Sequence, residues 1–299
     1  MTPRTFAGDA VECVLRIEAI VGESPVWSVR EQALYWVDIL GQKVHRYHPT
    51  TGVNETFDLP QEVTCVALRE HAGLVLTLRQ NFALYDPATG KLDMLMAPEQ
   101  HKPNNRFNDG KVDRQGRFWA GTMDDVNWNA PAGSLYRLNA DDTLTTIQGD
   151  VACANGLGWS PDNRIFYFGE SFRYAIFAYD FDIATGQVSN RRQFAAIDHS
   201  HGAFPDGLTV DAEGGVWSVH NAVGQVVRYS PAGAVTDLIE MPVPQPTSVM
   251  FGGEKLDTLY ITSSRQNMTA AQLAQAPLSG SLFAVRPGVA GLPEPYFAG

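Results

Sequence analysis

Six similar units of 40 to 51 residues follow one another along this chain, and that recurrence limits its fold more than any other feature. Segments 23–28, 63–68, 108–113, 155–160, 206–211 and 247–252 stack on one another, with first positions 40, 45, 47, 51 and 41 residues apart. Most are followed by a turn such as Asp113-Arg114-Gln115-Gly116 or Asp211-Ala212-Glu213-Gly214, then by a run such as Leu34-Tyr35-Trp36-Val37-Asp38-Ile39 or Ile165-Phe166-Tyr167-Phe168-Gly169. A third run carries an aromatic residue near its end, as at Tyr47, Tyr85, Tyr136, Tyr179 and Tyr229, and in most units a further turn leads to a fourth. Aromatic and β-branched residues suit a pleated, packed surface. No long segment carries an apolar stripe of period 3.6; the best helical candidate, 269–275, is short. Four strands per unit, six times over, predict an all-β, six-bladed β-propeller with four antiparallel strands per blade. A pair of β-sandwiches or a β-helix are the alternatives, and neither accounts for the constant phase of the repeat. Residues 11–19 precede the first unit and are expected to supply the outer strand of the last blade. The 299 residues then form a single propeller domain, 1–299, with 1–10 as a loose lead.

The chain carries 33 acidic and 22 basic side chains, a formal net charge of −11. That excess argues against nucleic acid, which needs clustered Lys and Arg, and against anionic membrane surfaces. No apolar run approaches the roughly 20 residues that span a bilayer. The start shows no apolar stretch followed by a small-residue cleavage site. The three cysteines, Cys13, Cys65 and Cys153, are distant in sequence and read as free thiols. A cytoplasmic protein is the expectation; its oligomeric state stays open.

In a propeller the first strand of each blade lines the central channel. The stacked first positions are Glu23, Val63, Asn108, Asn155, Asp206 and Thr247. Carboxylates and amides at one level of a channel cannot stay dry and unpaired, because desolvating an ion is costly. A single divalent cation resolves this. Two carboxylates neutralise it and amide oxygens add ligands without charge. Such an all-oxygen shell suits Ca²⁺, Mg²⁺ or Mn²⁺ better than Zn²⁺. The plainer reading is that Asn-Gly and Asp-Gly only make turns; it suits any one of these residues better than the joint pattern.

The stretch Asn104-Asn105-Arg106-Phe107-Asn108-Asp109-Gly110-Lys111-Val112-Asp113 resembles the regucalcin (senescence marker protein)/gluconolactonase/luciferin-regenerating enzyme family, as do Gly22-Glu23-Ser24-Pro25-Val26-Trp27, Ala154-Asn155-Gly156-Leu157 and Pro205-Asp206-Gly207-Leu208. The resemblance runs from about Cys13 to the C-terminus. It implies a six-bladed propeller with one divalent metal (Ca²⁺, Zn²⁺, Mn²⁺ or Mg²⁺), hydrolysing a sugar-acid lactone. It places metal ligands at Glu23, Asn155 and Asp206 and substrate contacts at Arg106 and Asn108. A further acidic contact of the family falls on Val126, so Asp124 or Asp125 is expected to replace it as a substrate-binding residue. Asp206, with a second carboxylate oxygen, is the expected catalytic base. Trp128 is a candidate for a substrate lid, and Glu170-Ser171 and His220 for the channel wall. His199 and His201 are expected in a solvated loop. Two other functions stay open: a calcium-binding regulator without required catalysis, and a promiscuous esterase or phosphotriesterase.

Overall fold

The computed structural model describes residues 2–299 and places six sheets around one axis, each with four antiparallel strands and one with a fifth strand added at its outer edge. The innermost strands are Gly22–Ser28, Val63–Leu68, Asn105–Val112, Ala154–Trp159, Phe204–Val210 and Pro246–Gly252, numbered here as blades one to six. Each touches the next, and Pro246–Gly252 meets Gly22–Ser28 to close the ring. Inner strands are buried along nearly their whole length, whereas outermost strands such as Val53–Asp58 and Gln187–Ala196 are largely exposed. That gradient explains why aromatic and β-branched residues concentrate in the first two strands of each unit.

Six apolar clusters hold the ring, one at each boundary between blades. Val26, Tyr35 and Val37 of blade one meet Val66, Leu74 and Leu76 of blade two, for example. Trp27 and Leu34 meet Met250 and Tyr260 of blade six at the closing boundary. No blade buries both of its faces alone, so stability is shared around the ring.

The turns recognised in the sequence carry a buried polar device. Asp211 Oδ1 accepts from the backbone N–H of Glu213 and Gly215 (3.0 and 2.8 Å). Its Oδ2 accepts from Trp217 Nε1 (2.9 Å) and Arg228 Nε (2.7 Å). Asp113 repeats the pattern in blade three with Gln115, Arg117 and Trp119. One carboxylate thus closes a turn, anchors the core indole and pairs a buried arginine. Asp211→Ala takes the acceptor from all four of these donors and is expected to cost about 3 kcal/mol in urea unfolding. Glu213→Ala, at an exposed pair with the same arginine, should stay within about 0.5 kcal/mol.

Glu12–Leu15 forms the outer strand of blade six, as expected from residues 11–19. The preceding lead is not wholly loose: Arg4–Phe6 pairs parallel with Val235–Glu240 as a fifth strand of blade five, and the Arg4 guanidinium reaches Asp237 at 2.6 Å. The exposed edge of that blade attracts it. The one α-helix among the described residues, Ala270–Gln275, starts at Thr269 with a reciprocal cap from Gln272. No helix there is long and apolar enough to cross a membrane. The C-terminal tail runs under the ring. Phe297 is fully buried between blades two and three, and Glu294 and Pro295 line the lower channel with Asp109 and Lys111. The tail therefore obstructs one mouth of the channel and leaves the other to the site.

Candidate functional site

At the first stacked position of every unit the backbone departs from regular pairing. Register shifts fall between Glu23 and Val26, Val63 and Cys65, Phe107 and Gly110, Asn155 and Leu157, Pro205 and Leu208, and Pro246 and Val249. A bulge breaks the in–out alternation and re-aims a side chain. The glycines behind the polar residues permit it. Gly156 holds a positive φ of 41°, and a Cβ on Gly207 would stand 2.0 Å from Ser248 Oγ. Ser24, next to Glu23, adopts φ of 50° without being glycine, a strained backbone that aims the preceding carboxylate.

The bulged residues meet at a cavity of about 220 Å³ on the open side of the channel. Glu23, Arg106, Asn108, Asn155 and Asp206 all line it. Asn155 donates from Nδ2 to Ser171 Oγ (2.8 Å), and that hydroxyl donates in turn to Pro205 O (2.8 Å). The serine proton is committed, so Ser171 can only accept from Asn155, and the amide orientation follows. Asn155 Oδ1 is left buried with no hydrogen-bond partner. Asp206 Oδ2 accepts from Asn221 Nδ2 (2.8 Å), and Glu23 Oε2 accepts from the Ser24 N–H (2.7 Å). Their second oxygens have no protein donor among the described residues.

The charges are under stress. Burial pushes the Glu23 carboxyl well above its usual range, and the charges of Asp206 and Asp109 add to the push. Burial likewise lifts Asp206 to about 7, although the hydrogen bond from Asn221 and the charge of Arg106 pull it back. Asp109, just below in the channel, is raised by burial and partly relieved by Lys111. Two carboxylates and one orphaned amide oxygen converge where Arg106 is the single basic lining residue. Such hard oxygen donors fit a divalent cation. The described residues hold no cluster of three His, Cys, Asp or Glu, because the third member of this set is an amide. Cys153 also lines the cavity, and burial raises its thiol to about 12; a soft thiol is a poor partner for the hard cations that this oxygen set suits.

Arg106 is held by its neighbours. Nε donates to Asp125 Oδ1 (2.7 Å) and Nη1 to Asn108 Oδ1 (2.7 Å) and Phe107 O (2.9 Å). Nη2 makes no hydrogen bond among the described residues. Asn108, expected at the substrate, gives its Nδ2 to Ala154 O (2.8 Å) and works first as a strut for Arg106. Asp124 and Asp125, expected to touch substrate, do not line the cavity. Asp124 Oδ1 accepts from the N–H groups of Val126 and Asn127 and shapes the loop. Asp125 bridges Arg106 and Arg79, whose Nη1 reaches it at 3.0 Å. Val126 projects into solvent. A gapless register cannot show which way the end of a second strand turns its carboxylates.

Ser171 lines the cavity but Glu170 does not; it is fully buried against Arg173 and Arg191. His220 lies in a side pocket and shares a hydrogen bond with the Tyr229 hydroxyl (3.1 Å). His199 stacks on Tyr174. Sequence reasoning missed Asn221 and Asp109. Asn221 sits at the end of a second strand, with no repeat partner to flag it; Asp109 sat in plain view in Asn108-Asp109-Gly110 and read as part of a turn.

The sequence pattern described as the SMP-30/Gluconolactonase/LRE-like region matches residues 21–265. A 6-deoxy-6-sulfogluconolactonase from Pseudomonas putida is 43% identical over 295 residues, covering 97% of this chain and 99% of its own length. Regucalcin from Oryctolagus cuniculus is 37% identical over 297 residues, covering 97% and 98%. The solved structure of a calcium-binding protein, regucalcin from Agrobacterium tumefaciens, superposes with a TM-score of 0.93 at 26% identity, over 99% of each chain.

Proposed function

The chain belongs to the SMP-30/gluconolactonase/LRE-like family, and from that premise we propose that it is a metal-dependent hydrolase of sugar-acid lactones. One observation carries the reading: Glu23 and Asp206, each with one carboxylate oxygen free of protein donors, line the same small cavity as Arg106 and as Asn155, whose Oδ1 is buried without a partner. The three oxygens would hold a divalent cation. Such a cation, when bound, polarises an ester carbonyl and lowers the pKa of water. Asp206 would face the cation with the oxygen that Asn221 leaves free and takes the proton of the attacking water on Oδ2, the oxygen that Asn221 holds. Arg106 cannot lose its charge, so it orients ring or chain hydroxyls, or steadies the developing oxyanion, from Nη2. A simple cation store would gain nothing from a guanidinium beside its ligands, which disfavours a purely regulatory role.

At about 220 Å³ the cavity is smaller than the roughly 300–1,000 Å³ of drug-sized sites, so a monosaccharide-sized lactone fits best. The P. putida relative makes a 6-sulfonated gluconolactone one candidate, alongside glucono-, xylono- and arabinonolactone. The deciding experiment strips the protein of metal, reloads it with Ca²⁺, Mg²⁺, Mn²⁺ or Zn²⁺, and follows proton release from each lactone. Turnover of at least one lactone, lost on stripping and regained on reloading, is the expected result. No turnover above the protein-free rate in any metal form would overturn the reading.

Asp125→Asn keeps the shape of the loop and removes the charge that holds Arg106. Its expected effect is about a ten-fold loss in kcat/KM, since a displaced positioning group costs on the order of 10–100-fold. Thermal stability should change little, because Asp125 and Arg79 are both partly exposed. Steady-state kinetics beside a melting curve checks both halves.

A further inference from the structure

Three aromatic rings at the mouth of the cavity belong to none of the inter-blade cores. Trp128 comes from a loop of blade three, Phe172 from the turn Ser171–Arg173 of blade four, and Phe204 from the start of the inner strand of blade five. Their rings pack in an arc with tilted planes, Trp128 to Phe172 at 6.0 Å and 36° and Phe172 to Phe204 at 5.7 Å and 31° between centroids and planes. The indole is pinned, since Trp128 Nε1 donates to Asp125 O at 3.1 Å. Trp128 is 37% exposed, while the other five tryptophans are exposed by 7% or less. Across the cavity stand Gln245, Gln266 and Asn267, whose side-chain amides make no hydrogen bond within the protein among the described residues. One wall is therefore bare aromatic surface and the other is bare carboxamide. Neither contributes to holding the ring of blades together.

We propose that this arc is a stacking shelf for the C–H face of a hydroxylated lactone ring. The ring stacks on the indole of Trp128 with Phe172 against its side, and its hydroxyl edge turns toward the three carboxamides. A sugar lactone presents both surfaces at once, as cyclic sugars do: its ring hydrogens are apolar and its rim is crowded with donors and acceptors. Aromatic faces reward that contact, and open amides supply the matching hydrogen bonds. The inference rests on the lactonase reading but concerns how the ring is held and not how it is opened.

The test separates the two. The probe is the δ-lactam of gluconic acid, a non-hydrolysable analogue, titrated into metal-loaded protein while tryptophan emission is followed. Because the other indoles are buried, binding on the shelf should change emission through Trp128. Trp128→Phe is expected to bind within about three-fold of the parent while losing the signal. Trp128→Ala and Phe172→Ala, followed by calorimetry, should each weaken lactam binding about ten-fold. A parent protein that fails to bind the lactam would overturn the shelf. So would Trp128→Ala binding like the parent, or an emission change that persists in Trp128→Phe. Lactam binding on the shelf without turnover of any lactone would leave the shelf standing and bring down the lactonase reading.

Discussion

Asp206→Asn should reduce lactone turnover by about 10³-fold or more while making the metal-free protein more stable. The substitution keeps the side chain's shape, and its carbonyl oxygen can still accept from Asn221. What it removes is the basicity of that oxygen and one of the two negative charges that would hold the cation. The gain in stability has a separate origin. The native carboxylate is buried with its pKa raised to about 7, so above that pH the fold bears the cost of an ion taken out of water. An amide carries no such cost. Opposite changes in activity and in chelated melting temperature are therefore the expected signature, and a loss of both would indicate simple misfolding. Turnover within ten-fold of the parent would remove Asp206 from the chemistry.

Chelation is expected to abolish turnover and to destabilise the protein by an amount that grows with pH. The unfolded Asp206 titrates near 3.8 and the folded, metal-free one near 7. A carboxyl whose folded pKa is raised costs nothing below about pH 3.8. Its penalty accumulates as pH rises through the window to about 7 and is complete above it, at roughly 1.4 kcal/mol per pH unit within the window. Glu23 and Asp109 are shifted in the same direction. His45 and His220, each held to about 4 by burial, work the other way, since the unfolded chain protonates them below about pH 6.5. The difference between loaded and chelated protein removes that histidine contribution. Melting curves with and without chelator should separate widely at pH 8 and converge toward pH 5. Equal curves at pH 8, or a gap that widens on acidification, would sink the claim that these carboxylates await a cation.

Much of the architecture could be read from one dimension. Strand runs, turns and aromatic closers recur at nearly constant phase, and a propeller is the fold that turns such a repeat into buried surface. Stacking the units also brought out Glu23, Asn108, Asn155 and Asp206 as polar residues at strand starts, where packing would favour other types. The turn signal was sound as well: Asp113 and Asp211 close the turns expected of them and also anchor Trp119 and Trp217. Less could be read where a residue's role depends on direction. Asp124 and Asp125 are adjacent and chemically alike, yet one shapes a loop and the other holds Arg106. Asn221, at the end of a second strand, and Ser171, in the turn after one, complete the site, and Phe172 and Phe204 join Trp128 only because their blades are neighbours.

By itself the amino-acid order determined the number of blades, the level at which polar groups would meet, and the residue types offered there. These are local, periodic properties, legible because each unit solves the same packing problem in the same way. Tertiary structure alone decided which oxygens stay unpartnered, where Arg106 points and which rings border the cavity. Those outcomes depend on bulges in the six inner strands and on closing the ring, which brings Glu23 and Asp206 to one cavity although most of the chain lies between them.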